Sequence, residues 1–113
     1  MISLLAAVSL SLAQDLSETA LLQPGKIAEP CMVMEEGQRL EFEFLASGDL
    51  DFNLHYHEDS AVHFPVNLRN TRGESGVFIA PIRRTYCLMW TNRGESNVQL
   101  EYNYQLFDVE ILP

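Results

Sequence analysis

Three histidines and two cysteines are the residues of this chain whose types and spacing suit chemistry beyond packing. His55-x-His57 on an extended strand puts two imidazoles on one side of the backbone, about 7 Å apart. Together with His63 and nearby carboxylates such as Glu58 and Asp59, they form a candidate set for Zn²⁺ or Cu²⁺, which accept imidazole and carboxylate ligands. The set lacks the regular spacing of a known metal signature. A solvated strand face that carries histidines is the simpler reading. The expectation is therefore no cofactor, with Zn or Cu on His55, His57 and His63 as the alternative. Glu41, Glu43, Asp49, Asp51, Glu58 and Asp59 do not make the dense oxygen-ligand loop that Ca²⁺ uses. Asp59, Ser60 and His63 supply the residue types of a hydrolytic triad, but triads are assembled in space and no nucleophile elbow is present. The chain reads as a non-enzyme. Cys31 and Cys87 form one disulfide if the protein is exported, and are two buried thiols if it is cytosolic.

Length and composition narrow the class. The 113 residues suffice for one small domain, and 47% apolar residues, with six Phe, four Tyr and one Trp, allow a packed core. A formal charge of −9 with only seven Lys and Arg disfavours nucleic acid and anionic membrane surfaces, where clustered cations must meet phosphates. Met1–Ala13 carries no charge, is rich in Leu, Ala and Ser, and ends in Ser11-Leu12-Ala13, small residues where a signal peptidase reads them. The expectation is a signal peptide over residues 1–13, a new terminus at Gln14, a mature domain over residues 14–113, and a periplasmic or extracellular location. No basic residue precedes the apolar run, so the competing reading is a mis-assigned start or an apolar leader. The run falls short of the roughly 20 apolar residues that span a bilayer, and no other stretch qualifies.

These residues need elements to position them. Gly, Pro, Asp and Asn punctuate the chain after residue 20 with the rhythm of a β-sandwich, and no long helical pattern is visible. About eight strands are predicted: Thr19–Gln23, Ile27–Met34, Arg39–Leu45, Leu50–His57, Ala61–Val66, Gly76–Ala80, Thr85–Asn92 and Val98–Asp108. Arg72-Gly73-Glu74-Ser75 recurs as Arg93-Gly94-Glu95-Ser96, and both copies are read as turns.

Parity sets the expected registers. Leu40, Phe42 and Phe44 alternate with Arg39, Glu41 and Glu43; Leu50, Phe52, Leu54 and Tyr56 alternate with Asp51, Asn53, His55 and His57. A hairpin through Ser47-Gly48-Asp49 puts Phe44 opposite Phe52 and Phe42 opposite Leu54. It also sets Glu41 opposite His55 and Arg39 opposite His57. A second hairpin, with its loop at residues 93–97, sets Trp90 opposite Leu100 and Tyr86 opposite Tyr104. Trp90 faces the core, Cys87 and Met89 face away, and Asn92 bonds the turn that follows it.

Several short patterns then fall in order. Cys31 stands six residues before Gly37; Gly37-x-x-Leu40-x-Phe42-x-Phe44 is followed by Gly48 and Asp51-Phe52-x-Leu54; Gly76-x-Phe78-x-Ala80-Pro81 leads to Tyr86-x-Leu88-x-Trp90-x-Asn92. In this order the chain resembles the GOLD (Golgi dynamics) domain, a β-sandwich of Golgi cargo-receptor membrane proteins and some lipid-transfer proteins. The second Cys of the receptors falls at the position of Met89, and Cys87 lies two residues earlier on the same face. The usual Gly before the Tyr is replaced by Arg84-Thr85. The resemblance implies that Cys31 and Cys87 approach each other. It also implies a protein- or ligand-binding sandwich without the receptors' transmembrane segment.

The expected fold is thus an all-β antiparallel sandwich, GOLD-like or jelly-roll-like. The expected function is recognition of another protein through an exposed sheet face or an edge strand. The candidate face carries Glu41, Glu43, Asn53, His55 and His57.

Overall fold

The computed structural model describes residues 17–109. The proposed signal sequence, its cleavage before Gln14 and the continuation of the last strand towards Leu112 lie outside the described residues. Within them the protein is all-β, with seven antiparallel strands and no helix. They are β1 (Glu18–Leu22), β2 (Ile27–Ala28), β3 (Cys31–Met34), β4 (Arg39–Glu58), β5 (Ala61–Ile79), β6 (Arg84–Thr91) and β7 (Val98–Phe107).

One long hairpin organises the fold. β4 pairs with β5 along one edge, and with both β7 and β6 along the other. β7 takes residues 39–46 of β4, and β6 takes residues 51–56. β1 lies outside β7, and β2 and β3 lie outside β6. β4 cannot be straight. Eight residues of extended strand span roughly 26 Å, yet the Phe44 and Phe52 rings lie 4.8 Å apart. The strand therefore bends around residues 46–50, and the sheet folds over until its two halves face each other.

The expected hairpin at Ser47-Gly48-Asp49 does not form. A three-residue hairpin loop needs a left-handed residue, for which Gly is the usual choice; the glycines with positive φ are Gly25 and Gly37, not Gly48. Gly48 instead makes room, because a Cβ there would sit 3.0 Å from Val98 Cγ2. The Ser47 hydroxyl accepts from the Gln99 N–H at 2.8 Å, holding the bend to β7. Two expected strands thus merge into β4. The polar stretch between Val66 and Gly76 is strand rather than turn, so two more merge into β5. There the close approach is at Gly76, where a Cβ would meet the Phe42 ring at 2.7 Å. The expected Ile27–Met34 strand appears as β2 and β3 in one register against β6, interrupted at Glu29-Pro30 because proline has no N–H for the ladder.

The second expected hairpin is also replaced. β6 and β7 follow one another along β4 and do not pair. Trp90 meets Tyr102 across the interior, with ring centroids 4.6 Å apart, and also contacts Phe44 and Phe52. Both hairpin predictions had the right parity and the wrong partner. Leu40, Phe42, Phe44, Leu50, Phe52, Leu54, Leu88, Trp90 and Leu100 are all buried in one core.

Asn92 closes the fold. It is fully buried, and its side-chain amide donates to Leu22 O at 2.8 Å and Ser96 O at 2.9 Å. Its Oδ1 accepts from the Gly94 N–H at 2.9 Å. The expected bond to the following turn is present, and the bond to Leu22 ties β1 to the end of β6.

Candidate binding faces

The bend in β4 splits the predicted site. Glu41 and Glu43 lie on the outward face of the half built from β1, β7 and the first part of β4. Asn53, His55 and His57 lie on the outward face of the other half, with the core between them. The predicted pairs Glu41 with His55 and Arg39 with His57 do not exist. Arg39 instead forms an ion pair with Glu41 at 2.9 Å and places its guanidinium 4.4 Å from the centre of the Phe107 ring.

The first face is read in cross-strand rows: Val77, Glu41 and Gln105; Ser75, Glu43 and Asn103; Gly73, Leu45 and Glu101. Ser75 and Gly76 line a depression of about 420 Å³ on this face together with Glu41, Glu43, Val77, Asn103 and Gln105, and Asn103 donates to Glu43 at 2.9 Å. A second depression adjoins it and adds Glu74 and Glu101. Val77 lines the first depression and Leu45 the second; with Ile79, two residues beyond Val77 on β5, they are at least 60% exposed each. A lining of carboxylates beside exposed aliphatic side chains suits a cationic, partly apolar ligand surface, with Glu43, Glu74 and Glu101 carrying the charge because Glu41 is paired with Arg39.

The second face is covered at Asn53 and His55, while His57 is exposed. His55 points outward by parity yet is only 5% exposed. Its Nδ1 lies 2.7 Å from Asn53 Oδ1, and its Nε2 lies 3.1 Å from the Glu29 carboxylate. The His57 and Phe64 rings flank it at 5.5 and 5.9 Å. Beside it, Cys31 and Cys87 face each other on β3 and β6 and are joined by a disulfide, with Cα atoms 4.1 Å apart.

The alternative metal set is not assembled. His63 sits opposite Tyr56, stacks on its ring at 4.9 Å and lies 3.9 Å from Glu58. It is therefore on the opposite side of the sheet from His55 and His57. Among the described residues the group whose donor atoms do cluster is Glu29, Cys31 and Cys87. Glu29 has no signal in the sequence, since it falls in the break between β2 and β3.

Arg72 and Arg93, from the two copies of Arg-Gly-Glu-Ser, pair with Asp49 at 2.9 Å and Asp51 at 2.7 Å. One copy lies within β5 and the other in the loop after β6, so a shared sequence serves different backbones and the same bend in β4.

Comparison with known proteins is confined to architecture. No protein-family model matches the chain, and no curated protein matches it. Among solved structures it is similar to PirA, at 13% identity and a TM-score of 0.57, with 80% of this chain and 94% of that one covered. It is also similar to Aeromonas hydrophila PliG, a periplasmic lysozyme inhibitor of g-type lysozyme, at 15% identity and a TM-score of 0.54, covering 79% of this chain and 84% of that one. A third likeness is to TmCBM61 in complex with β-1,4-galactotriose, at 12% identity and a TM-score of 0.57, covering 80% and 69%. These structural likenesses, at such low identity, show a shared β-sandwich-like fold and nothing further.

Proposed function

We propose that the protein is an exported, non-enzymatic binding module that recognises the basic surface of another protein through the face bearing Glu41 and Glu43. The observation that carries this reading is the pair of adjoining depressions on that face, lined by Glu41, Glu43, Glu74 and Glu101 beside exposed Leu45 and Val77. A net charge of −9 adds long-range attraction for a cationic partner. The Cys31–Cys87 disulfide supports an oxidising compartment. PliG uses a comparable fold to inhibit an enzyme, and the GOLD resemblance implies macromolecular recognition too; both are analogies of fold. Binding by the face is favoured over strand addition at β5. That edge is interrupted by Pro65 and by Asn70, which has a φ of 52°.

The test is affinity capture from the native source with the wild type, Glu41→Lys/Glu43→Lys, and His57→Ala on the other face. A partner held by the wild type and by His57→Ala, released by salt and lost with the charge reversal, is the expected result. Capture lost with His57→Ala and kept by the charge reversal moves the site to the second face.

A further inference from the structure

We propose that reduction of the Cys31–Cys87 disulfide converts the second face into a binding site for a thiophilic divalent cation such as Zn²⁺. The ligands are the two thiolates and the Glu29 carboxylate. A carboxylate oxygen of Glu29 and both Sγ atoms already lie within 4.8 Å of one another. Tetrahedral coordination, with bonds of about 2.3 Å to sulfur and 2.0–2.2 Å to oxygen, sets such donors roughly 3.3–3.8 Å apart. Small side-chain movements therefore complete the set. Thiolate ligands select Zn²⁺ over the hard cations Ca²⁺ and Mg²⁺.

What lies behind Glu29 supports the assignment. The buried His55 holds that carboxylate at 3.1 Å through Nε2, and Asn53 holds His55 at 2.7 Å through Nδ1. A chain of amide, imidazole and carboxylate is the kind of outer shell that fixes a metal ligand in place. His55 is thus a positioning residue. Cys31 and Glu29 are exposed, so a reductant reaches the sulfur and water occupies the fourth position.

The redox step balances with a thiol as reductant. Two RSH molecules break the Cys31–Cys87 bond and form one RS–SR; their two electrons and two protons leave Cys31 and Cys87 as thiols. Binding the cation forms two metal–sulfur bonds and releases those two protons to water.

The test uses protein reduced with a monothiol, freed of it under nitrogen, and titrated with Co²⁺ as a spectroscopic probe and then with Zn²⁺. The expected result is one Co²⁺ per reduced chain with a thiolate-to-cobalt absorption band, displaced by Zn²⁺, and no binding by the disulfide form. Glu29→Gln and His55→Gln should each weaken binding by about 10- to 100-fold while retaining that band. Fluorescence of the buried Trp90 reports the fold throughout. If reduction alone loosens the chain, Zn²⁺ should restore the native emission. Reduced protein that binds no Co²⁺, equal affinity in Glu29→Gln and wild type, or lost emission that Zn²⁺ does not restore would each overturn the proposal.

Discussion

The two outward faces of this sheet carry similar polar residues in the same alternating pattern, and the fold treats them differently. On the first, Glu43 is exposed and the surface is open apart from a shallow depression. On the second, His55 and Asn53 occupy equivalent outward positions and are buried, because Glu29, the disulfide strand and Phe64 close over them. Alternation states which side of a strand a residue takes. It does not state what another strand lays on top. An outward polar residue is a ligand-binding candidate on the first face and part of a satisfied network on the second.

Both faces depend on the joint between the halves, so the largest effect should come there. Trp90 touches Phe44 and Tyr102 in one half and Phe52 in the other. Trp90→Ala should cost about 3–5 kcal/mol, measured as a shift in the denaturant midpoint. The indole N–H has no hydrogen-bond partner among the described residues. Trp90→Phe should therefore cost much less than Trp90→Ala, since no hydrogen bond is lost. A nearly unchanged midpoint in Trp90→Ala would mean that the halves do not share a core.

The alternation, and hence the core, was legible in the sequence; the pairing was not. Leu40, Phe42, Phe44, Phe52, Leu54 and Trp90 are buried as their spacing predicts. Phe44 and Phe52 even meet, but across the interior, where a sharp hairpin had been expected to set them side by side. Ser-Gly-Asp has the composition of a turn whether the chain reverses or bends, and the close approach of Gly48 to Val98, fifty residues away in sequence, is not visible in that composition. The binding site was divided for the same reason. Glu41 and His55 share a strand and an outward parity, and the bend sends them to opposite sides.

The next effect should be confined to the second half. The disulfide closes a separation of 56 residues, and the chain-entropy model assigns such a loop about 4 kcal/mol. Cys31→Ser/Cys87→Ser should lower stability by about 2–4 kcal/mol, read from the denaturant midpoint, and leave partner capture by the first face intact once the protein is folded. Loss of capture in the folded variant would mean that the faces are coupled.

Tyr86 supplies a smaller effect with a pH signature. Its hydroxyl donates to Ile82 O at 2.7 Å. Burial pushes its phenol above the ordinary value. A folded-state pKa raised above the unfolded one gives stability that is whole below about pH 10 and is lost as pH rises through the folded value. Tyr86→Phe should cost about 1 kcal/mol near neutrality. It should also lose less stability than the wild type above about pH 10, with Tyr102, raised in the same direction, keeping part of the slope. Parallel curves for wild type and variant at alkaline pH would show that Tyr86 does not contribute.

The finest test of the comparison sets one residue from each face side by side. Glu43→Ala removes an exposed carboxylate whose partner, Asn103, turns to water at little expense, so stability should change by less than about 0.5 kcal/mol. His55→Ala removes a buried ring placed between Asn53 and Glu29. Asn53 is itself buried and loses its acceptor's partner, so the cost should be about 1–3 kcal/mol. The order should reverse for capture of a basic partner, where Glu43→Ala weakens binding and His55→Ala, in the folded protein, does not. Equal stability costs would mean that His55 is as solvated as Glu43. Equal binding losses would mean that the partner reads both faces.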